Sequence, residues 1–178
     1  QESDGACAVV VVSREQARDA PQPPVLIAGA AQGMSHEDGI YRPGRCEELW
    51  STAGMAEVAN DLYVSAGISP DEIDVVQVYE NFTGQVIMAM EDFGLCKRGE
   101  GGAYVQSGVI KWPNGRTPIN TSGGNLAEAY IHGLSLVIEG GRQLRGQSTS
   151  QVRDAKHCLV VSGPGAPPSS GLILRRAA

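Results

Sequence analysis

Two tyrosines in the sequence are placed where a side chain could carry a proton during a reaction. Tyr79 directly follows the short predicted strand "VVQV" at 75–78, and Tyr130 comes six residues after the pair Gly123-Gly124. A phenol has an ordinary pKa of about 10. It therefore serves readily as a general acid, and it serves as a base only where a neighbouring group favours the phenolate. Each tyrosine could instead be a structural ring whose hydroxyl is satisfied in the core, and the residues alone leave both interpretations open.

A polar turn that contains glycines precedes Tyr130 in the stretch "NTSGGNLAEAYIHG". Asn120, Gly123 and Gly124 stand at the mouth of a predicted helix, and glycines let another group come close to the backbone. The apolar spacing predicts that one face of this helix carries Leu126, Tyr130, Leu134, Val137 and Ile138. His132 lies off that face, so we expect it at the surface or in a contact between the helix and a loop.

Two further segments offer polar groups near the ends of predicted strands. Asn81 follows the run 75–78 closely and is a candidate N-cap, and Glu80 beside it is explained by a favourable interaction with the helix dipole alone. The loop "SGPGAPPSSG" contains three prolines without N–H groups, which leaves Gly163, Gly165 and Ala166 as donors. This loop cannot form a phosphate cradle of the P-loop type, but it could supply one oxyanion donor.

Composition excludes several classes of function. A formal net charge of −6 argues against nucleic acid or an anionic membrane as the main partner, and no apolar run is long enough to span a bilayer. The four cysteines are widely separated and form no CxxC pair, which indicates free thiols in a reducing, cytoplasmic compartment. We expect none of them to be catalytic. The three histidines lack metal-ligand spacing with the cysteines, so we expect no metal site.

The candidate residues must be held by alternating strands and helices. Helices are predicted over 49–67 and along the face formed by Phe82, Val86, Met90 and Phe93, and long loops over 35–48 and 97–119. Strands are predicted at 6–13, 25–33, 75–78, 156–163 and 171–176. This order predicts an α/β fold with a mixed five-stranded sheet that is covered by helices on both faces. In such sheets, chemistry gathers where strands end and helices begin.

Four motifs together resemble the thiolase superfamily, namely "SDGACAVVV", "AGISPDEIDVVQVYENF", "INTSGGNLAEAYIHG" and "RQLRG". The departures from that family are informative. Tyr79 stands where a thiolase box begins with Asn, and Tyr130 stands where a thiolase has its catalytic His. "VVSGPGAP" replaces the Cys-x-Gly-Gly-Gly box. With these tyrosines the sequence is most similar to the lipid-transfer-protein-like relatives of the thiolases, the steroid side-chain-cleaving aldolases.

This resemblance implies retro-aldol cleavage of a steroid β-hydroxyacyl-CoA to a 17-ketosteroid and propionyl-CoA. No cofactor is expected, since CoA is part of the substrate. The residues do not assign base and acid, but the resemblance favours Tyr130 as the base and Tyr79 as the acid. The implied substrate-binding and oxyanion residues are Asn120, Gly123, Gly124, Asn81, Gly163 and Gly165. Two alternatives stay open: a thiolase-like acyltransferase, and a non-catalytic subunit that binds lipid or acyl-CoA.

The resemblance also implies an incomplete fold and two kinds of partner. Residues 1–20 correspond to the last strand of an N-terminal thiolase half with its linker, and residues 21–178 to the C-terminal thiolase-like domain. Because the run 6–13 is continuously apolar, we expect a buried strand whose neighbours belong to an N-terminal half outside this sequence. Homodimer formation and association with a protein that combines a zinc ribbon and an OB-fold are implied by the family.

Overall fold

Over the residues that the structure describes, the fold is a mixed sheet of four strands with helices on both faces. The computed structural model describes residues 2–34, 54–163 and 168–177. The strands are β1 (Val25–Gly33), β2 (Val75–Val78), β3 (His157–Ser162) and β4 (Ser169–Arg176). The helices are α1 (Met55–Ala66), α2 (Thr83–Asp92), α3 (Gly101–Gln106), α4 (Gly124–Ala127) and α5 (Leu134–Arg145). The predicted mixed α/β arrangement is confirmed.

The strand order is β1-β4-β3-β2, with β2 parallel to β3 and the other two pairs antiparallel. Successive side chains of β2 and β3 point to opposite faces, as strand geometry requires. Val76, Val78 and Leu159 pack with α1 and α2, whereas Val75 and Cys158 pack with residues of α5. Both faces of the central strands are therefore covered, which explains why β2 is hydrophobic except at Gln77 and why β3 is hydrophobic over residues 158–161.

The predicted helix at 49–67 is confirmed as α1 over the residues that the structure describes. Met55, Val58, Ala59 and Leu62 are its buried residues, and Gly67 ends it in the left-handed conformation with φ of 66°. Residues 49–53 and the predicted loop at 35–48 lie outside the described residues. The predicted face of α2 is also confirmed at Val86, Met90 and Phe93, which are buried, whereas Phe82 is 67% exposed.

Two predicted elements differ from the structure. Residues 6–13 form no strand, and among the described residues no other segment pairs with them; Val10 is 87% exposed. A strand needs the hydrogen-bonding groups of a neighbour, so the apolar run alone does not create one, and the sheet has four strands instead of five. The division of the chain between residues 20 and 21 stays a prediction. The segment 97–119 is not entirely irregular, because it contains the short helix α3.

None of the helices in the described part of the chain is long and apolar enough to cross a membrane. Within the same residues, no group of three or more His, Cys, Asp and Glu side chains is placed to hold a metal ion.

Candidate functional site

The two tyrosine hydroxyls meet at the carboxyl end of the parallel strands. The Oη atoms of Tyr79 and Tyr130 lie 2.9 Å apart, and the two rings pack edge to face with centroids 5.9 Å apart. Tyr79 directly follows β2, and its backbone N–H donates to the Val161 carbonyl of β3 at 2.9 Å. The two hydroxyls therefore face one site, as predicted, and form a direct hydrogen bond with each other. Their catalytic roles stay a prediction.

Tyr130 does not lie in a helix, which corrects the predicted helical face. The short helix α4 ends at Ala127, and the backbone turns through left-handed conformations at His132 (φ of 59°) and Gly133 (φ of 90°) before α5 begins. Between the two helices the Tyr130 carbonyl accepts the N–H of Ser3 at 3.0 Å. Leu126, expected on the same buried face, is 60% exposed. A left-handed pair of residues cannot be accommodated in a continuous right-handed helix.

Gly133 packs directly against the ring of Tyr79. A Cβ atom at Gly133 would lie 2.7 Å from Cδ2 and 3.0 Å from Cε2 of Tyr79, closer than real Cβ atoms approach a neighbour. The glycine thus meets two requirements at once, the left-handed backbone and the space for the aromatic ring. This contact fixes where the Tyr79 hydroxyl points.

The side chain of Asn120 extends the edge of β2 as if it were part of a neighbouring strand. Its Oδ1 accepts the Val78 N–H at 2.8 Å, and its Nδ2 donates to the Val78 carbonyl at 3.0 Å and to Glu80 Oε2 at 3.1 Å. The backbone N–H of Asn120 donates to the Val76 carbonyl at 3.0 Å. Both hydrogens of the Asn120 amide are therefore engaged in holding the turn, and the predicted oxyanion role would require one of these bonds to break.

Glu80 is a residue of the site that sequence reasoning explained only as a helix-dipole partner. Its carboxylate is 5% exposed and accepts three hydrogen bonds, from Asn120 Nδ2, from Asn125 Nδ2 at 3.4 Å and from the Leu126 N–H at 2.8 Å. A Cβ atom at Gly124 would lie 2.5 Å from Glu80 Oε1. The sequence predicted that another group could come close to the backbone at these glycines, and at Gly124 that group is the buried Glu80 carboxylate. The only sequence signal for it was its place between Tyr79 and Asn81.

A second buried network anchors the turn 120–124 to α5. Thr121 Oγ1 donates to Glu139 Oε1 at 2.6 Å and accepts hydrogen bonds from Gln77 Nε2 at 3.1 Å and Gln143 Nε2 at 2.9 Å. All four residues are at most 8% exposed. Buried polar groups that satisfy one another in this way fix a unique backbone arrangement. The turn that precedes Tyr130 is therefore held from two sides, by β2 and by α5.

The remaining predicted residues are spread around this centre. Asn81 is not the N-cap of α2, because that position belongs to Phe82, and no side chain makes a capping hydrogen bond there. The buried Asn81 Oδ1 has no hydrogen-bond partner among the described residues.

Gly163 follows β3 with φ of 78°, and its carbonyl accepts the Ser169 hydroxyl at 3.1 Å. Gly123 caps α4 in the left-handed conformation. Gly165 lies outside the described residues, and the substrate-binding roles of this set stay a prediction.

The electrostatic surroundings keep Tyr79 protonated. Burial raises the pKa of the Tyr79 hydroxyl well above its ordinary value, and the nearby carboxylates of Glu2 and Glu80 add to the increase. Each of these causes disfavours a negative charge on this oxygen. Tyr79 is therefore suited to hold and donate a proton, rather than to act as a free phenolate.

His132 is a further member of the cluster, which the sequence placed at the surface or in a contact between the helix and a loop. Its side chain is 64% exposed, and its Nδ1 lies 3.4 Å from the Tyr79 hydroxyl. Its ring also packs edge to face against Tyr130, with centroids 5.5 Å apart. Its position two residues after Tyr130 was the available signal, and it was missed because a helix would have pointed the two side chains in different directions.

Comparison with known proteins gives this geometry a family context. Residues 41–174 match the family described as thiolase C-terminal domain-like. The chain is 42% identical over 174 residues to a steroid side-chain-cleaving aldolase of Thermomonospora curvata, an alignment that covers 98% of this chain and 44% of that protein. It is 43% identical over 178 residues to a 17-hydroxy-3-oxo-4-pregnene-20-carboxyl-CoA lyase of Mycobacterium tuberculosis, covering 98% of this chain and 45% of the lyase.

A solved structure named Ltp2-ChsH2(DUF35) aldolase is also similar. It superposes with a TM-score of 0.88 and 40% sequence identity, and the match covers 93% of this chain and 43% of that chain. The chain thus spans a little under half the length of these three relatives.

Proposed function

The chain belongs to the thiolase C-terminal domain-like family, and on this premise we propose that it carries the acid and base of a carbon–carbon lyase acting on a CoA thioester. The reaction is retro-aldol cleavage of a steroid β-hydroxyacyl-CoA to a 17-ketosteroid and propionyl-CoA. The observation that carries the proposal is the 2.9 Å contact between the hydroxyls of Tyr79 and Tyr130 at the carboxyl end of β2. The names of the aldolase and the lyase described above support the same chemistry.

The two hydroxyls supply what a retro-aldol reaction needs. Tyr130 accepts the proton of the substrate hydroxyl while the bond between the hydroxyl carbon and the α-carbon breaks. The hydroxyl carbon becomes a ketone, and the electron pair of the broken bond passes into the thioester enolate. Tyr79, which burial keeps protonated, delivers a proton to the α-carbon and completes the acyl-CoA product. As Tyr130 accepts the substrate proton, it passes its own proton to Tyr79 through the contact between the two hydroxyls. Tyr79 thereby replaces the proton that it gives to the α-carbon, and both phenols end the reaction neutral.

Thiolase chemistry fits the described residues less well. A thiolase uses a cysteine as acid and base, and the corresponding box is absent from this sequence. Cys158 is fully buried, pairs with Val75 at the start of the parallel strands and packs against Gly140. It therefore lies at the opposite end of β2 from Tyr79. A retro-aldol reaction needs no covalent nucleophile, so the loss of that cysteine is compatible with the proposed activity.

Substrate, partner and location are part of the same proposal. The lyase of M. tuberculosis is named for a substrate with a 17-hydroxyl group and a carboxyl-CoA side chain, which supports a substrate of that class here. The name of the solved relative joins two proteins, which supports association with a second protein. We propose that this partner combines a zinc ribbon and an OB-fold, as the family resemblance implies. We further propose a homodimer that works in the cytoplasm. A monomeric mass at micromolar concentration, or full activity without any second protein, would count against these assignments.

The proposed reaction is tested by following both products. The protein, purified with any subunit that accompanies it, is incubated with a steroid 17-hydroxy acyl-CoA and with the matching compound that lacks the hydroxyl. We expect ketosteroid and propionyl-CoA in equal amounts from the first compound and no reaction with the second. Consumption of free CoA would instead indicate acyl transfer, and substrate recovered intact in a bound form would indicate a non-catalytic binding protein.

A further inference from the structure

The Tyr79 hydroxyl has a second neighbour besides Tyr130. The Nδ1 atom of His132 lies 3.4 Å away, and the backbone of His132 is held in the left-handed conformation with φ of 59°. That conformation is uncommon for residues other than glycine, and unusual backbone angles of this kind concentrate at functional sites. Its effect here is to direct the imidazole toward Tyr79 and not along a helix.

The surroundings of the imidazole favour one arrangement of its proton. Nε2 faces a carboxylate oxygen of Glu2 at 3.6 Å, and this carboxylate is 75% exposed. The hydrogen of a neutral imidazole is stabilised on the nitrogen that faces the negative charge, so Nε2 carries the hydrogen and Nδ1 keeps a lone pair. The titratable groups facing His132 are Tyr79 after β2, Tyr130 on its own segment and Glu2 on the N-terminal segment.

This arrangement sets the direction of the hydrogen bonds. A phenol has one hydrogen to donate. If Tyr79 donates to His132 Nδ1, the 2.9 Å contact between the tyrosines must use the hydrogen of Tyr130. The Tyr130 oxygen then presents its lone pairs to a substrate hydroxyl, which is the orientation that a base requires.

We propose that His132 is a positioning residue that accepts the Tyr79 proton and so enables Tyr130 to act as the base; this rests on the proposed function. As the substrate hydroxyl gives its proton to Tyr130, Tyr130 gives its own proton to Tyr79, and Tyr79 gives its proton to Nδ1. When the enolate carbon is protonated, Tyr79 supplies that proton and His132 returns the one it holds. The cluster ends each turnover in the state in which it began.

Proton transfer from Tyr130 through Tyr79 to His132 explains how a pair of phenols can act as a base at neutral pH. A phenol with an ordinary pKa of about 10 is a poor acceptor at neutral pH, and burial of Tyr79 makes that hydroxyl a worse one. Histidine side chains change charge between about pH 5 and 8. A histidine at the solvent-exposed end of this series of hydrogen-bonded side chains can therefore take the proton that neither phenol can hold.

His132→Asn separates this role from a structural one. Asparagine tolerates the left-handed backbone and places its side-chain oxygen near the position of Nδ1, so it can accept the Tyr79 hydrogen but cannot become protonated. Full-length enzyme, with any subunit that copurifies, is assayed for ketosteroid formation across pH 5 to 9. Wild-type kcat should rise with pH as histidine loses its proton, and His132→Asn should lose about 10²-fold in kcat together with that rise.

The outcomes are distinct. Absence of ketosteroid release by the wild-type protein would refute the proposed function itself. A wild-type protein that cleaves substrate without a rise between pH 5 and 8 would overturn the inference alone. An asparagine variant that keeps the wild-type kcat, or that loses activity but keeps the same rise with pH, would also overturn it.

Discussion

Replacing Gly133 by alanine is expected to damage turnover far more than folding. A Cβ atom at Gly133 would lie 2.7 Å from a ring carbon of Tyr79, whereas ordinary contact begins at 3.4 Å. With the backbone of Gly133 in place, the ring must therefore move by about 0.7 Å to restore ordinary contact. When the side chain rotates about its Cα–Cβ bond, the hydroxyl moves farther than the ring carbon because it lies farther from that bond, so its displacement is about 1 Å or more. A displacement of that size at a catalytic group reduces the rate by about 10²-fold.

Gly146→Ala is the matched control. Gly146 caps the other end of α5 with φ of 72°, and a Cβ atom there would meet no heavy atom within 4 Å. Both substitutions place alanine in a left-handed conformation, which costs about 1–2 kcal/mol of stability. Urea unfolding should therefore show similar losses in the two variants, whereas kcat should fall by about 10²-fold only in Gly133→Ala. Equal kcat values in the two variants would refute the argument that Gly133 positions Tyr79.

Two further predictions concern stability. Glu80→Gln should lower the free energy of unfolding by about 2–4 kcal/mol, because hydrogen bonds to a buried carboxylate contribute about 1.5–3 kcal/mol each and the NH2 group of the new amide would face other donors. Urea unfolding measures this loss, with Glu128→Gln at an exposed position as the control. Equal unfolding midpoints in the two variants would contradict the prediction. Burial raises the pKa of Tyr63 above its ordinary value, so folding keeps a proton that the unfolded chain loses above about pH 10. Stability should accordingly fall as pH rises above about 10, with a smaller slope in Tyr63→Phe, and an unchanged slope would argue against the buried phenol.

The sequence was sufficient for the four strands that form the sheet and for one side of the site. The stretch 75–78 is apolar except at Gln77 because helices cover β2 on both faces, and a polar residue directly after such a strand must lie at the edge of the sheet. Tyr79 could therefore be placed from the sequence. Tyr130 could be identified as a partner from its spacing to Gly124, although its local structure was predicted wrongly.

What the sequence could not show depends on contacts between distant residues. Leu126, Tyr130 and Leu134 have helical spacing, but the backbone there is governed by the pairing of Tyr130 with Ser3 and by the space that Gly133 leaves for Tyr79. The partners of Glu80 come from residues 40 and 46 positions away. Local propensity carries no information on such pairs, and tertiary contacts override it routinely. The apolar run 6–13 shows the same limit, because strand formation requires a neighbouring strand.

A double-mutant cycle on the two tyrosines tests the central claim most directly. Tyr79→Phe, Tyr130→Phe and the double variant are compared with the wild type for kcat of ketosteroid release, with folding checked by urea unfolding. Each single variant should lose about 10²-fold or more, and the double variant should lose little more than the worse single one, because residues that act as a unit are not additive. Near wild-type turnover in both single variants would contradict the claim. A double variant whose loss equals the product of the two single losses would show two independent residues instead of one acid–base pair.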